Sequence, residues 1–392
     1  MEFPERFSNL PEYTWPRMRA LLDPHIPGGE VVNLTIGEPS HAFPDFLVDA
    51  IKERVSLFGD YPNNYGTPEL LGTIGNWIKR RYGVTLAEDQ IMALNGTREG
   101  LFSAAIALSP ETKNGKRPAI LLPNPFYPVY MIAALSAGAE PIYMPATAET
   151  GHLPDLDALD AETLDRTTIM YMCSPSNPQG AVASRGYWQK LLGLAEKHDF
   201  RIFSDECYSE IWRDEPPIGG LEMVQELGTD PERVFVFHSL SKRSNLPGFR
   251  SGFVAGGFKG MTEIRQLRAY AGAPLAGPMQ HASIPVWEDE AHVDASRQRY
   301  RDKFEIADRI LGQLPGYSSP PAGFFLWLKV ENGEAAALKT WRETGVRVLP
   351  GAYLARDVNG VNPGADYVRV ALVADEPELE RGLTELRDCI YT

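Results

Sequence analysis

Cysteine is scarce in this chain of 392 residues, and positive charge is in deficit. The three cysteines, Cys173, Cys207 and Cys389, show no metal-ligand spacing and cannot all pair with one another. Reduced thiols in a cytoplasmic protein are the simplest account. Lys and Arg number 38 against 52 Asp and Glu, for a formal net charge of −14, and no basic block occurs. Nucleic acid and anionic membrane surfaces both require a basic face, so neither is expected as a main partner. No stretch approaches the roughly 18 apolar residues of a membrane span. Met1-Glu2-Phe3-Pro4-Glu5-Arg6 opens no apolar segment of signal-peptide length. Internal repeats, low-complexity tracts and an obvious flexible linker are also missing. What remains is an ordinary globular composition, 43% hydrophobic and 23% charged, at a length that suits two domains.

From about residue 90 to 260, short apolar runs alternate with amphipathic segments. Ala119 to Leu122 precedes a helix-like Tyr127 to Ala137. Thr168 to Met172 precedes Tyr187 to His198, where Trp188, Leu191, Leu192 and Ala195 share one helical face. Phe200 to Phe203, Val234 to Phe237 and Gly252 to Ala255 read as further strands. The pattern implies βαβ units and a mostly parallel sheet covered on both faces. A long charged helix from about Ala291 to Leu314, strands at Phe324 to Leu328 and Tyr367 to Ala371, and a last helix from Glu376 to Cys389 leave that pattern. The expected fold is α/β, with a large domain at 46–285 and a smaller α+β domain at 286–392. The segment 1–45 is expected to join the smaller one.

The run from Ser239 to Arg250 is the most informative. It sets Lys242 among small hydroxyl residues directly after a strand, with Arg250 eight residues later. Desolvation disfavours a charged lysine at the end of a buried strand. Forming a Schiff base with an aldehyde needs an accessible neutral amine of this kind. Ser239, Ser241 and Arg250 supply donors suited to a phosphate. A lysine beside a phosphate anchor suggests pyridoxal phosphate (PLP). The bland alternative is a basic surface turn closing a strand.

Position strengthens the chemical reading. Asn177, Asp205 and Lys242 each follow a predicted strand, and Asn95 to Glu99 lies between Ile91–Leu94 and a helix-like Gly100 to Leu108. In a parallel sheet all four groups project at one edge, where such sheets bind ligands. Singly, Asn177-Pro178 is a good turn and Asp205 a common residue before a helix. Together they suit PLP. Asp205 can face the pyridine nitrogen, Asn177 and Tyr208 can donate to the phenolic oxygen, and the amides of Gly96, Thr97 and Arg98 can meet the phosphate at a helix start.

These residues resemble those of class I/II aminotransferases of the fold type I PLP-dependent superfamily, over nearly the whole length. The carriers are Ser239-x-Ser241-Lys242 with Arg250 beyond, and the order Asn177, Asp205, Tyr208, Lys242. The resemblance implies Lys242 as the cofactor-bearing residue and proton shuttle, with Ser239 and Arg250 on the phosphate. It implies Tyr127 stacked on the cofactor ring, or Phe126 if the register moves by one. Arg369 and Gly37 are implied at the substrate α-carboxylate. Tyr61 is implied to reach the other subunit's phosphate in an obligate homodimer, with Tyr65 the nearer alternative.

Asn95 to Phe102, Asn124 to Tyr127, Glu206 to Ile211 and Arg243 to Gly248 are similar to N-succinyldiaminopimelate aminotransferases. That implies amino exchange between glutamate and a succinylated keto acid, in lysine biosynthesis. Aspartate, alanine and aromatic aminotransferases are the first rivals. A PLP-dependent lyase or decarboxylase, and a non-catalytic regulator on the same scaffold, are the others. Arg19, Arg265 and Arg268 are candidates for the substrate's distal end, though each is more often a solvated charge.

Overall fold

Apolar runs in the middle of the chain become strands buried on both faces. The computed structural model describes residues 4–8 and 10–391. The Met1-Glu2-Phe3 of the N-terminal reading lies outside them. The strands are β1 (Val32–Asn33), β2 (Ile91–Leu94), β3 (Ala119–Asn124), β4 (Glu140–Pro145), β5 (Thr167–Cys173) and β6 (Arg201–Asp205), then β7 (Val234–Ser239), β8 (Gly252–Gly256), β9 (Phe325–Lys329), β10 (Val346–Arg347), β11 (Leu349–Pro350) and β12 (Tyr367–Ala371). A seven-stranded sheet runs in the order β2-β8-β7-β6-β5-β3-β4. Alternation along β7 sends Val234 and Val236 into a core with Trp188 and Trp287. Phe235 and Phe237 enter the opposite core, with Tyr130 and Tyr171. Each such side chain, fully buried, contributes about 1.5–3 kcal/mol.

Only β8 runs against the others. It is antiparallel to both β2 and β7, so β2 and β7 share a direction with β3 to β6. Gly252 pairs with Leu94 on one side and Ser239 on the other. The Gly96 turn and the Lys242 turn therefore leave the sheet at one level, at its carboxyl edge. The apolar runs read from sequence correspond to β3, β5, β6, β7 and β8, Ile91–Leu94 was placed before a helix without being named a strand, and β4 was missed. Pro141 and Pro145 hide it, and an edge position is where a strand tolerates prolines.

The helices used below are α1 (Thr14–Leu22), α2 (Pro68–Tyr82), α3 (Thr97–Leu108), α4 (Pro128–Ser136), α5 (Arg185–His198), α6 (Leu240–Arg243), α7 (Ala291–Leu311), α8 (Gly333–Thr344) and α9 (Glu376–Ile390). α5 shows the local logic: Ser184 caps its first turn by accepting from the Tyr187 amide, and Asp199 ends it in the left-handed region. A three-stranded antiparallel sheet, β11-β12-β9, shares an apolar core with α7, α8 and α9. The N-terminal segment joins these C-terminal elements. β1 pairs with β10, and Trp341 Nε1 of α8 donates to the Leu22 carbonyl of α1 at 3.0 Å. Among the described residues no helix is long and apolar enough to cross a membrane.

Candidate active site

Lys242 stands on α6, a single turn that begins where β7 ends. Ser239 caps that turn, its Oγ accepting from the Ser241 amide at 3.0 Å. The turn is pinned from behind by buried Arg243, which donates to the Val286 carbonyl at 2.7 Å and pairs with Glu290 at 2.9 Å. Lys242 Nζ donates to the Gly37 carbonyl and lies 5.5 Å from the Phe324 ring centre. Its surroundings strip away enough water to bring its pKa down to about 8. The amine is thus neutral far more often than a surface lysine's.

Asp205 ends β6 with 6% of its surface exposed. Burial pushes its carboxyl above the usual range, while hydrogen bonds from Tyr130 and from Cys207 oppose that push. Asn177 Oδ1 accepts from Arg369 Nη1 at 3.0 Å, and Arg369 Nη2 donates to the Thr35 carbonyl at 2.7 Å. The guanidinium packs 4.2 Å over Phe325, and its buried Nε has no hydrogen-bond partner among the described residues. A Cβ at Gly37 would collide with that same Phe325 ring. Tyr208 is buried against Phe324 and Phe325. Gly37, Asn177, Tyr208 and Arg369 therefore surround one spot.

Gly96 precedes α3 at φ +82°, and a Cβ there would overlap the Arg250 guanidinium. Arg250 itself sits at φ +59°, a strained conformation for a residue with a side chain. Thr97 Oγ1 lies 3.2 Å from Cys207 Sγ, and Ser239 Oγ donates to the Ser251 carbonyl at 3.1 Å. Arg98 Nε donates to the Tyr127 hydroxyl at 2.6 Å. Tyr127 and Phe126 both line a cavity with Asn177, and Phe126 is the more buried of the two and packs on Tyr143. Tyr61 is fully exposed and takes no part in this cluster, and Tyr65 lies under Arg265 at 4.4 Å.

A family model described as "Aminotransferase class I and II" matches residues 29–386. The chain belongs to that family. Among curated proteins it is 30% identical to an LL-diaminopimelate aminotransferase of Nitratidesulfovibrio vulgaris (strain DSM 19637 / Miyazaki F), over 97% of each chain. Among solved structures it is 38% identical to an aminotransferase from Neisseria meningitidis Z2491, with a TM-score of 0.94 over 98% of this chain and 99% of that one. Aminotransferase AspB from Helicobacter pylori 26695 is 35% identical, with a TM-score of 0.90 over 97% and 98%.

The fold is accordingly that of a fold type I aminotransferase, and class I and II aminotransferases use pyridoxal 5'-phosphate. The residues present suit that cofactor. A desolvated amine, a buried carboxylate and an anion cradle open only to glycine at position 96 stand at one sheet edge. The Arg369 Nε left unpaired inside the protein suits a substrate carboxylate.

Two candidates for the distal end have other partners. Arg268 is buried on Glu99 at 2.7 Å, and Arg265 donates to the Ile91 carbonyl at 3.1 Å. Arg19 is exposed on α1. The sequence reading passed over Tyr130, which donates to Asp205 at 2.7 Å. Its signal was available: it follows Tyr127 by three positions at the start of a helix, a spacing that puts both on one face.

Proposed function

We propose that this aminotransferase moves the amino group between N-succinyl-LL-2,6-diaminopimelate and the 2-oxoglutarate/glutamate pair, in lysine biosynthesis. The observation that carries amino transfer is the convergence of Lys242, Asp205 and Arg369. The relatives named LL-diaminopimelate aminotransferase support a diaminopimelate-type donor and do not speak to the succinyl group, which rests on the stretches around Gly96, Tyr127 and Lys242. When bound, pyridoxal phosphate supplies the electron sink that lets the substrate α-proton leave. The chain's residues do the rest.

Arg369 holds the α-carboxylate as a bidentate pair, flanked by Asn177 and Gly37. Lys242 Nζ would take the α-proton and carry it to the other side of the nitrogen being transferred. Asp205 would keep the ring nitrogen protonated, and Asn177 and Tyr208 would donate to the phenolic oxygen. Tyr127 covers the ring face. The amides of Gly96, Thr97 and Arg98, with Ser239 and Arg250, hold the phosphate. Tyr61 completes the phosphate site of a second subunit. Exposed Phe43, Phe46, Phe58 and Tyr61, clustered in sequence, suit burial in that homodimer. We also propose 46–285 as the large domain, 286–392 with 1–45 as the small one, and the cytoplasm as its place.

Sedimentation equilibrium should therefore return twice the chain mass of 43.5 kDa. A monomer at assay concentration would sink the shared-site reading. Donor kcat/KM values against 2-oxoglutarate test the substrate. The succinylated donor should exceed LL-diaminopimelate, aspartate, alanine and phenylalanine, because a site built to pair distal polar groups rejects analogues lacking them. If any of these beats it by about tenfold, another aminotransferase activity replaces this one.

A further inference from the structure

Tyr130 touches two groups at once, and nothing in the transfer chemistry above uses it. It lies on α4, wholly buried, and its hydroxyl donates to Asp205 Oδ2 at 2.7 Å. Its ring meets Tyr127 edge-on at 5.8 Å, and its amide donates to the Tyr127 carbonyl at 3.0 Å. On the other side it stacks on Tyr171 at 4.4 Å and 13°, and Tyr171 is itself anchored to the Leu101 carbonyl at 2.6 Å. The other Asp205 oxygen accepts from the Cys207 amide at 3.3 Å.

We propose that Tyr130 is the positioning residue of Asp205, fixing where its carboxylate points relative to the aromatic face of Tyr127. The proposal rests on the reading of Asp205 as partner of the ring nitrogen. A carboxylate at a strand end can turn about its own side-chain bonds, and two donors from different elements remove that freedom. Burial holds the Tyr130 phenol protonated well above its ordinary range, so the hydroxyl is the donor. Its bond opposes the desolvation that would otherwise neutralise Asp205.

Of the groups around the carboxylate, Tyr130 is the hydroxyl donor and comes from another element, while the Cys207 thiol, two residues along the chain, is a weaker second side-chain donor. Cys173 and Cys207 are thiols that burial holds protonated. Tyr171 directs its hydroxyl to Leu101. His238 pairs with Glu206 at 3.0 Å and acts on Asp205 through charge.

The test compares Tyr130→Phe, which keeps the ring stack and deletes the hydroxyl, with Tyr171→Phe, which changes packing without touching Asp205. In the apoenzyme, infrared difference spectra against Asp205→Asn isolate the Asp205 carboxyl. Its protonation should move to higher pH in Tyr130→Phe and stay in place in Tyr171→Phe. Cofactor affinity in Tyr130→Phe should fall about tenfold or more, and kcat about ten- to a hundredfold with little change in KM, as for loss of a hydrogen bond to a charged group. If Tyr130→Phe does not fold, Tyr130→His, which keeps a ring donor, should titrate close to wild type. Wild-type titration and affinity in folded Tyr130→Phe would overturn the proposal. So would equal changes in Tyr171→Phe, or a folded Tyr130→His that titrates well above wild type. An Asp205→Asn enzyme with full activity would instead overturn the underlying reading of Asp205.

Discussion

Lys242→Ala is expected to give a folded protein with almost no turnover. In the proposed roles of Lys242, the substitution removes both the amine that takes the aldehyde and the base that moves the α-proton. General acid–base catalysis alone accounts for roughly a hundred- to ten-thousand-fold, so the combined loss should exceed that. Folding should not suffer, because α6 is held by Arg243 and by the Ser239 cap, not by Lys242. Replacing a desolvated lysine also removes the cost of keeping its charge out of water. Borohydride treatment of the loaded wild-type enzyme, followed by peptide mapping, should put the pyridoxyl label on the Lys242 peptide. A label on any other lysine would overturn the assignment. With the Lys242 pKa lowered to about 8 by burial, the reactive neutral amine accumulates as pH rises through that value. Uptake of the aldehyde by the apoenzyme should accelerate over the same window and then level off.

The second large effect is expected for Asp205→Asn. The amide matches the carboxylate in shape and can still accept from Tyr130, so the phosphate contacts and the fold are preserved. In the proposed role of Asp205, the charge facing the ring nitrogen is lost. Removing one preorganised electrostatic group typically costs about a hundred- to a thousandfold in kcat, and the loss should fall on α-proton removal. Single-turnover rates with an α-deuterated donor would show this as a larger share of the barrier in that step. Wild-type abstraction rates would mean that Asp205 faces something else. Stability should change in a defined direction. Burial raises the folded-state pKa of Asp205, so the folded chain binds its proton more readily than the unfolded one. Wild type therefore loses stability as pH rises from the ordinary carboxylate range through that raised value. Asp205→Asn lacks this loss. Thermal melts should show the variant no less stable at neutral pH, with its relative advantage shrinking as pH falls.

Strands buried on both faces were the most legible part of the molecule. Val234 to Phe237 and Thr168 to Met172 are continuous apolar runs, and few other structures tolerate them. The prolines of β4 and the two-residue lengths of β1, β10 and β11 erased those strands as signals. Polar residues after strands marked the sheet edge because a parallel sheet collects its carboxyl ends on one side. Arg369 and Gly37 were legible only through family resemblance, since neither follows a large-sheet strand. They reach the edge by packing of the three-stranded sheet and the N-terminal segment.

The order of strands and turns, and the residue types at each turn, were determined by the sequence itself. Local propensity and hydrophobic period are short-range properties that a chain carries with it. Which donors meet which acceptors was decided by tertiary structure. The Tyr130 hydroxyl and Asp205 are 75 positions apart, and Lys242 and the Gly37 carbonyl 205 apart. No local pattern encodes such a meeting. It arises when βαβ packing brings α4 beside β6 and when the N-terminal segment folds back over α6. The shifts that make the amine reactive and the carboxyl reluctant to ionise come from water excluded by that packing. Burial is a property of the assembled core, and no residue has it before the chain folds.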